Sequence, residues 1–161
     1  MTRKKVETKK AVIFIVEGRS DKKALENIIQ KIYQYKDIVF KFMDGDITSD
    51  KNVNKLNVQN LIYEQVEEYR KDKKLKKSDI WEIVHIFDTD GTYIPDEAIE
   101  AGDSSKFFYT PDKIFCKNVE SVIARNKVKR EMMDYLLSLD NIKGIPYIGY
   151  FMSSNVVDFL K

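Results

Sequence analysis

One cysteine and one histidine are all the soft metal ligands this chain has, and that shortage excludes a good deal. Cys116 alone cannot form an internal disulfide, which fits a reducing compartment, so a cytoplasmic location is expected. With His85 as its only companion, it cannot build a usual structural zinc site. Long apolar runs are missing as well: the first, Ala11–Val16, has six residues, against the roughly 20 that a membrane helix needs. The basic leader, residues 1–10, precedes an apolar run too short for a signal peptide, and that run meets Glu17 at once. With three prolines and six glycines there is no linker, repeat or low-complexity segment.

What remains is globular. The 161 residues are 43% hydrophobic and 34% charged, enough for one domain over residues 11–161 around a single substantial core. The chain stops as a helix begins in NVVDFLK, so a further C-terminal portion is expected. The net charge of +2 conceals an asymmetry. Residues 1–80 hold 19 Lys/Arg against 13 Asp/Glu, and residues 81–161 hold 9 against 13, so the halves carry +6 and −4. A basic half beside an acidic one suits an enzyme acting on a polyanion. The run RKDKKLKK, residues 70–77, is read as a solvated helix end, where positive charge opposes the helix dipole, rather than as a nucleic-acid patch.

Periodicity orders the elements. Residues 11–16 form an uninterrupted, buried strand, and 21–35 a helix with Ser20 as its cap. Residues 37–43 are a second strand, and 53–75 a second helix with Leu56, Leu61, Ile62, Val66 and Tyr69 toward the core. A third strand covers 81–87, a long helix 118–139, and a fourth strand 145–152. Strands alternating with helices imply parallel pairing through right-handed crossovers. The expected fold is α/β, a three-layer sandwich on a mostly parallel four-stranded sheet. The aromatic segment Phe107, Phe108 and Tyr109 is assigned to core packing in preference to base stacking, and His85 to a half-buried, satisfied position on its strand.

Two of these strands end in acid. AVIFIVEGRSD delivers Glu17 and Asp21, and WEIVHIFDTDG delivers Asp88 and Asp90. In open α/β sheets ligands bind outside the carboxyl ends of the strands. If the two strands are neighbours, the carboxylates converge and need a cation; hard oxygen ligands suit Mg²⁺ or Mn²⁺. Asp88 and Asp90 reach one ion only if the strand turns between them, and Gly91 eases that turn. Asp44 and Asp46 also follow a strand, but turn chemistry in DGD explains them more simply than a second metal. Ser104, Ser153 and Ser154 lack a His partner for a hydrolytic triad.

The segments IVEGRSDKKAL and HIFDTDG, in this order and about 70 residues apart, resemble the two motifs of the Toprim domain. That fold is shared by type IA and type II topoisomerases, bacterial primases, OLD-family nucleases and a small ribosomal-RNA maturase. The resemblance spans about residues 11–152; the basic leader and the segment 106–139 depart from it, and no second catalytic domain is visible. It implies a Rossmann-like sheet and a magnesium- or manganese-binding hydrolase of nucleic acid, most simply a nuclease. It implies that Glu17 moves the proton and shares a metal, that Asp88 and Asp90 bind the metal, and that Asp21 assists. Arg19 and Lys22, beside that site, are candidates for contact with the phosphates of DNA or RNA. Two alternatives stand beside it. One is a non-catalytic Toprim-like module that binds nucleic acid or a protein. The other is a phosphatase, because FDTDGTY also resembles the first motif of haloacid-dehalogenase-type enzymes. In that family the motif opens on the first strand, whereas here it lies on the third.

Overall fold

In the computed structural model the described residues are 10–17, 19–33, 38–44, 47–48, 50, 52–102, 107–110 and 112–152. The acidic half-sites are carried by β1 (Lys10–Val16) and β3 (Ile80–Asp88), which pair side by side and in parallel, Val16 opposite Ile86. On the other edge of β1 lies β2 (Ile38–Asp44), also parallel, with Val16 opposite Asp44. Beyond β3 runs β8 (Ile145–Met152), parallel again, and β7 (Asn141–Ile142) closes that edge as an antiparallel hairpin. The order is β2-β1-β3-β8-β7. The fold is therefore α/β on a mixed sheet of five strands, and the expected fourth strand of a four-stranded sheet carries a hairpin partner. Asn141–Gly144 makes the tight turn, with Gly144 at φ +79, too local a feature to stand out in sequence.

The connections explain where the helices lie. Helix α1 (Arg19–Tyr33) returns the chain from β1 to β2, and α2 (Val58–Asp72) carries it back past β1 to β3. Helix α3 (Val119–Leu137) then leads from β3 toward β8. Right-handed crossovers put α1 on one face and α2 and α3 on the other. The core agrees: Ile13, Ile15, Ile83 and Phe87 pack with Val58, Ile62 and Val66 of α2 and Met132, Met133 and Leu136 of α3. Because the connections leave β1 and β3 in opposite directions, the topological switch point falls between those two strands, where such sheets bind ligands.

Several local expectations give way to longer-range ones. Helix α1 begins at Arg19, so Ser20 lies within it rather than capping it. Helix α2 starts at Val58, because Asn54 and Asn57 tie residues 52–57 into side-chain-capped turns. Leu56 sits in those turns, 93% exposed, outside the core. Between β3 and α3 the chain builds a second, three-stranded sheet in place of a loop. It comprises β4 (Ile99–Ala101), β5 (Phe108–Tyr109) and β6 (Ile114–Cys116), in the order β4-β6-β5. Ile99, Ile114, Cys116 and Val122 of α3 form its own small core. Phe107, Phe108 and Tyr109 are exposed on it, so the expected core packing is not what they do. His85 is fully buried rather than half-buried; its Nδ1 shares a 2.9 Å hydrogen bond with the Tyr147 hydroxyl. Among the described residues no helix is long and apolar enough to cross a membrane.

Candidate functional site

Parallel pairing of β1 and β3 places the residue after β1 against the last residue of β3. The Asp88 backbone N–H donates to Glu17 Oε2 at 3.1 Å, joining residues 71 positions apart. The Thr48 hydroxyl donates to Glu17 Oε1 from the segment after β2. The Glu17 side chain is only 4% exposed, so this carboxylate is held at both oxygens in a largely dry place.

The chain turns sharply at the end of β3. Asp90 takes a left-handed φ of +45 and Gly91 one of +69, and the Thr92 N–H closes the turn on the Thr89 carbonyl at 2.7 Å. Asp88 stabilises this by accepting the Asp90 N–H at its Oδ1, 3.1 Å away, an Asx-type turn. Gly91 is required twice over. A Cβ here would meet Ile114 Cδ1 at 2.7 Å and Tyr109 Cε1 at 3.2 Å, so the turn is wedged against the second sheet.

Into this arrangement α3 sends a lysine. Lys129 Nζ is 2.8 Å from Asp90 Oδ2 and 3.6 Å from Glu17 Oε2, with only 3% of its side chain exposed. One turn earlier, Arg125 Nη2 donates to the Asp90 carbonyl at 3.2 Å, and its guanidinium is held on the neighbouring Asn126 Oδ1. Five of the six buried residues of α3, Val122, Asn126, Lys129, Met133 and Leu136, form a stripe with 4-3-4-3 spacing, Met132 flanking it. The stripe begins in the small core and ends in the main one, and its two polar members face the acidic turn between them. Asn126 Nδ2 and Thr92 Oγ1 are buried with no hydrogen-bond partner among the described residues, leaving polar capacity beside the turn.

The structure thus brings Glu17, Asp88 and Asp90 together, through a backbone amide and through Lys129. Of the other expected site residues, Lys22 is half-buried on α1. The side chains of Arg19, Asp21 and Asp44, and all of Asp46, Ser104, Ser153 and Ser154, lie outside the described residues. Lys129, Arg125, Asn126 and Thr48 were not anticipated. The signal for two of them was present: Asn126 and Lys129 interrupt an otherwise apolar helical stripe, and a polar residue at a core position needs a partner. Thr48 carried no such signal.

The electrostatics extend inward from the acids. Burial, then the negative charge of Glu17, pushes the Tyr147 phenol well above its ordinary range. Burial alone lowers His85 to about 3, so this imidazole is neutral at physiological pH. Burial, followed by a 2.7 Å hydrogen bond to Asp134, lifts the Tyr93 phenol to about 12.

All the acidic donors are hard oxygens, the chemistry that Mg²⁺ or Mn²⁺ prefers. Among the described residues, no group of three or more His, Cys, Asp or Glu side chains is placed to hold a metal ion; Glu17 and Asp90 share the ammonium of Lys129. Comparison with family models, with curated proteins and with solved structures finds no match for this chain.

Proposed function

We propose that the chain is a small Toprim-like variant whose site at the β1–β3 switch point cleaves phosphodiester bonds of nucleic acid, a nuclease-type hydrolase. One observation carries this reading. Glu17 and Asp88 meet at the carboxyl ends of adjacent parallel strands, and Asp90 is tied to the same spot by a buried cation. In this reading Asp88 and Asp90 would hold Mg²⁺ or Mn²⁺ with Glu17 as a shared ligand, which requires Lys129 to give up the two carboxylates it now pairs with, and the ion would offset phosphate charge and acidify a water. Glu17 is the proton-transfer group in this reading, because its carboxylate is fixed at the strand end beside the acidic turn. Lys129 fixes Glu17 and Asp90 relative to each other, and Arg125 anchors the turn that presents Asp90.

A second reading has its own observation. Lys129 already neutralises part of the acid cluster, as a site that binds without turnover would require. One experiment separates the two. Asp88→Asn keeps the oxygen that accepts the Asp90 amide, so the turn should survive while the charge is lost. Labelled DNA and RNA strands are incubated with Mg²⁺ or Mn²⁺ and resolved on a gel, with a phosphomonoester assay alongside. Metal-dependent cleavage by the parent that falls at least a hundredfold in Asp88→Asn supports the nuclease. Binding without cleavage in both proteins supports the module, and turnover of the phosphomonoester alone supports the phosphatase.

A further inference from the structure

The exposed rings beside the acidic turn have no role in the chemistry above, and their placement is specific. Phe107, just before β5, and Tyr109 within it are two residues apart, their ring centroids 6.3 Å apart and nearly perpendicular. Both are more than two-fifths exposed. Tyr109 leans over the turn, its ring edge 3.2 Å from where a Cβ of Gly91 would stand. Arg125 completes the group: its guanidinium lies 4.9 Å from the Phe107 ring centroid, and the same side chain bonds the Asp90 carbonyl. A second exposed pair borders the turn, Tyr93 with Phe151, centroids 6.1 Å apart.

We infer that Phe107, Tyr109 and Arg125 form a stacking platform for unpaired nucleotides, so that the substrate is single-stranded nucleic acid. The inference rests on the proposed phosphodiester chemistry and names its substrate class. Rings that offer their faces to water cost free energy unless a planar partner covers them, and every base has a π-face. Charge argues against an apolar protein partner. Arg125 sits on the Phe107 ring and Lys127 of the same helix is exposed, which suits a polyanion, while Lys129 and Arg130 are already paired with Glu17, Asp90 and Asp96. A duplex keeps its bases stacked on one another and cannot occupy the rings, whereas a single strand can lay a base on them and its phosphate at the turn.

The test is equilibrium binding by fluorescence anisotropy in EDTA, where no metal-dependent cleavage intervenes. The probes are a labelled 12-nucleotide deoxythymidine strand and a blunt 12-base-pair duplex, at a fixed 100 mM salt. The parent should bind the strand more tightly than the duplex. The double variant Phe107→Leu/Tyr109→Leu, which keeps apolar bulk but removes the π-faces, should lose about 5- to 100-fold in strand affinity with duplex affinity within twofold. Phe107→Leu alone, which does not touch Gly91, should show part of the same loss if the double variant fails to fold. Equal binding of strand and duplex by the parent overturns the inference. So does unchanged strand affinity in Phe107→Leu, and so does a parent dimer that this substitution dissociates, since the rings would then be a self-association face. The nuclease reading fails separately, if the parent binds the strand through these rings yet never cleaves it with Mg²⁺ or Mn²⁺.

Discussion

The ammonium of Lys129 lies 3.6 Å from the Glu17 carboxylate, and neither side chain exposes more than a twentieth of its surface. The two come from opposite ends of the chain and from different layers, a helix and a strand end. Their pairing, extended to Asp90, locks α3 onto the switch point of the sheet. A buried ion pair contributes little against a well-packed apolar substitute, but removing one partner strands the other.

Lys129→Met, which strands the buried Glu17 carboxylate, should therefore destabilise the protein by about 3 kcal/mol, and Glu17→Gln by less, because Lys129 keeps Asp90 at 2.8 Å, read from urea midpoints at pH 7. The double variant should cost less than the two singles added, because the buried Glu17 charge that Lys129→Met strands is then gone. Strict additivity would mean the pair does not couple.

His85 predicts acid sensitivity. Its imidazole is lowered from 6.5 to about 3 by burial, so below pH 6.5 the unfolded chain binds a proton that the folded chain refuses. Stability from this group is complete above pH 6.5 and falls as pH drops through the window toward 3. The slope is about 1.4 kcal/mol per pH unit, or about 2 kcal/mol by pH 5. His85→Gln, which retains a side chain able to hydrogen bond Tyr147, should remove that component, seen as a smaller difference between urea midpoints at pH 7 and pH 5.

Gly91→Ala tests the acidic turn. An alanine at φ +69 costs about 1–2 kcal/mol, and its Cβ would also press on Ile114, a fully buried side chain of the second sheet. A total loss of about 2–3 kcal/mol is expected in thermal unfolding, together with displacement of Asp90 and loss of any activity that depends on it.

Gly149→Ala tests packing. This glycine is in β8 without a left-handed φ, and a Cβ there would stand 2.8 Å from Phe87 and 2.9 Å from Leu137 of α3. Overpacking between sheet and helix should cost about 1–3 kcal/mol in urea, and because Phe87 directly precedes Asp88 this Cβ presses close to the acidic turn. A neutral result would show that α3 can slide on the sheet.

Much of the scaffold was legible because it is written in short-range patterns. The four parallel strands announce themselves as brief apolar runs, and the two acid-tipped ones predict where a ligand would meet the sheet. The DTDG turn was readable from Gly91, whose lack of a Cβ is a local requirement. The second sheet was not readable: β4, β5 and β6 have two or three residues each, too few for a period to show. Phe107 and Tyr109 look like core residues in sequence, since hydrophobicity does not say which side of an edge strand faces water.

The sequence by itself determined that Glu17, Asp88 and Asp90 stand at strand ends, because alternation, run length and turn residues act over a few positions. Tertiary structure alone decided what compensates them. Thr48, Arg125 and Lys129 reach the acids across 31, 35 and 39 positions of chain. Such contacts depend on the order of strands and the face each helix covers. A lone lysine in a helix carries no record of that order, and here the order turns it from a solvent-facing charge into the buried counter-ion of the site.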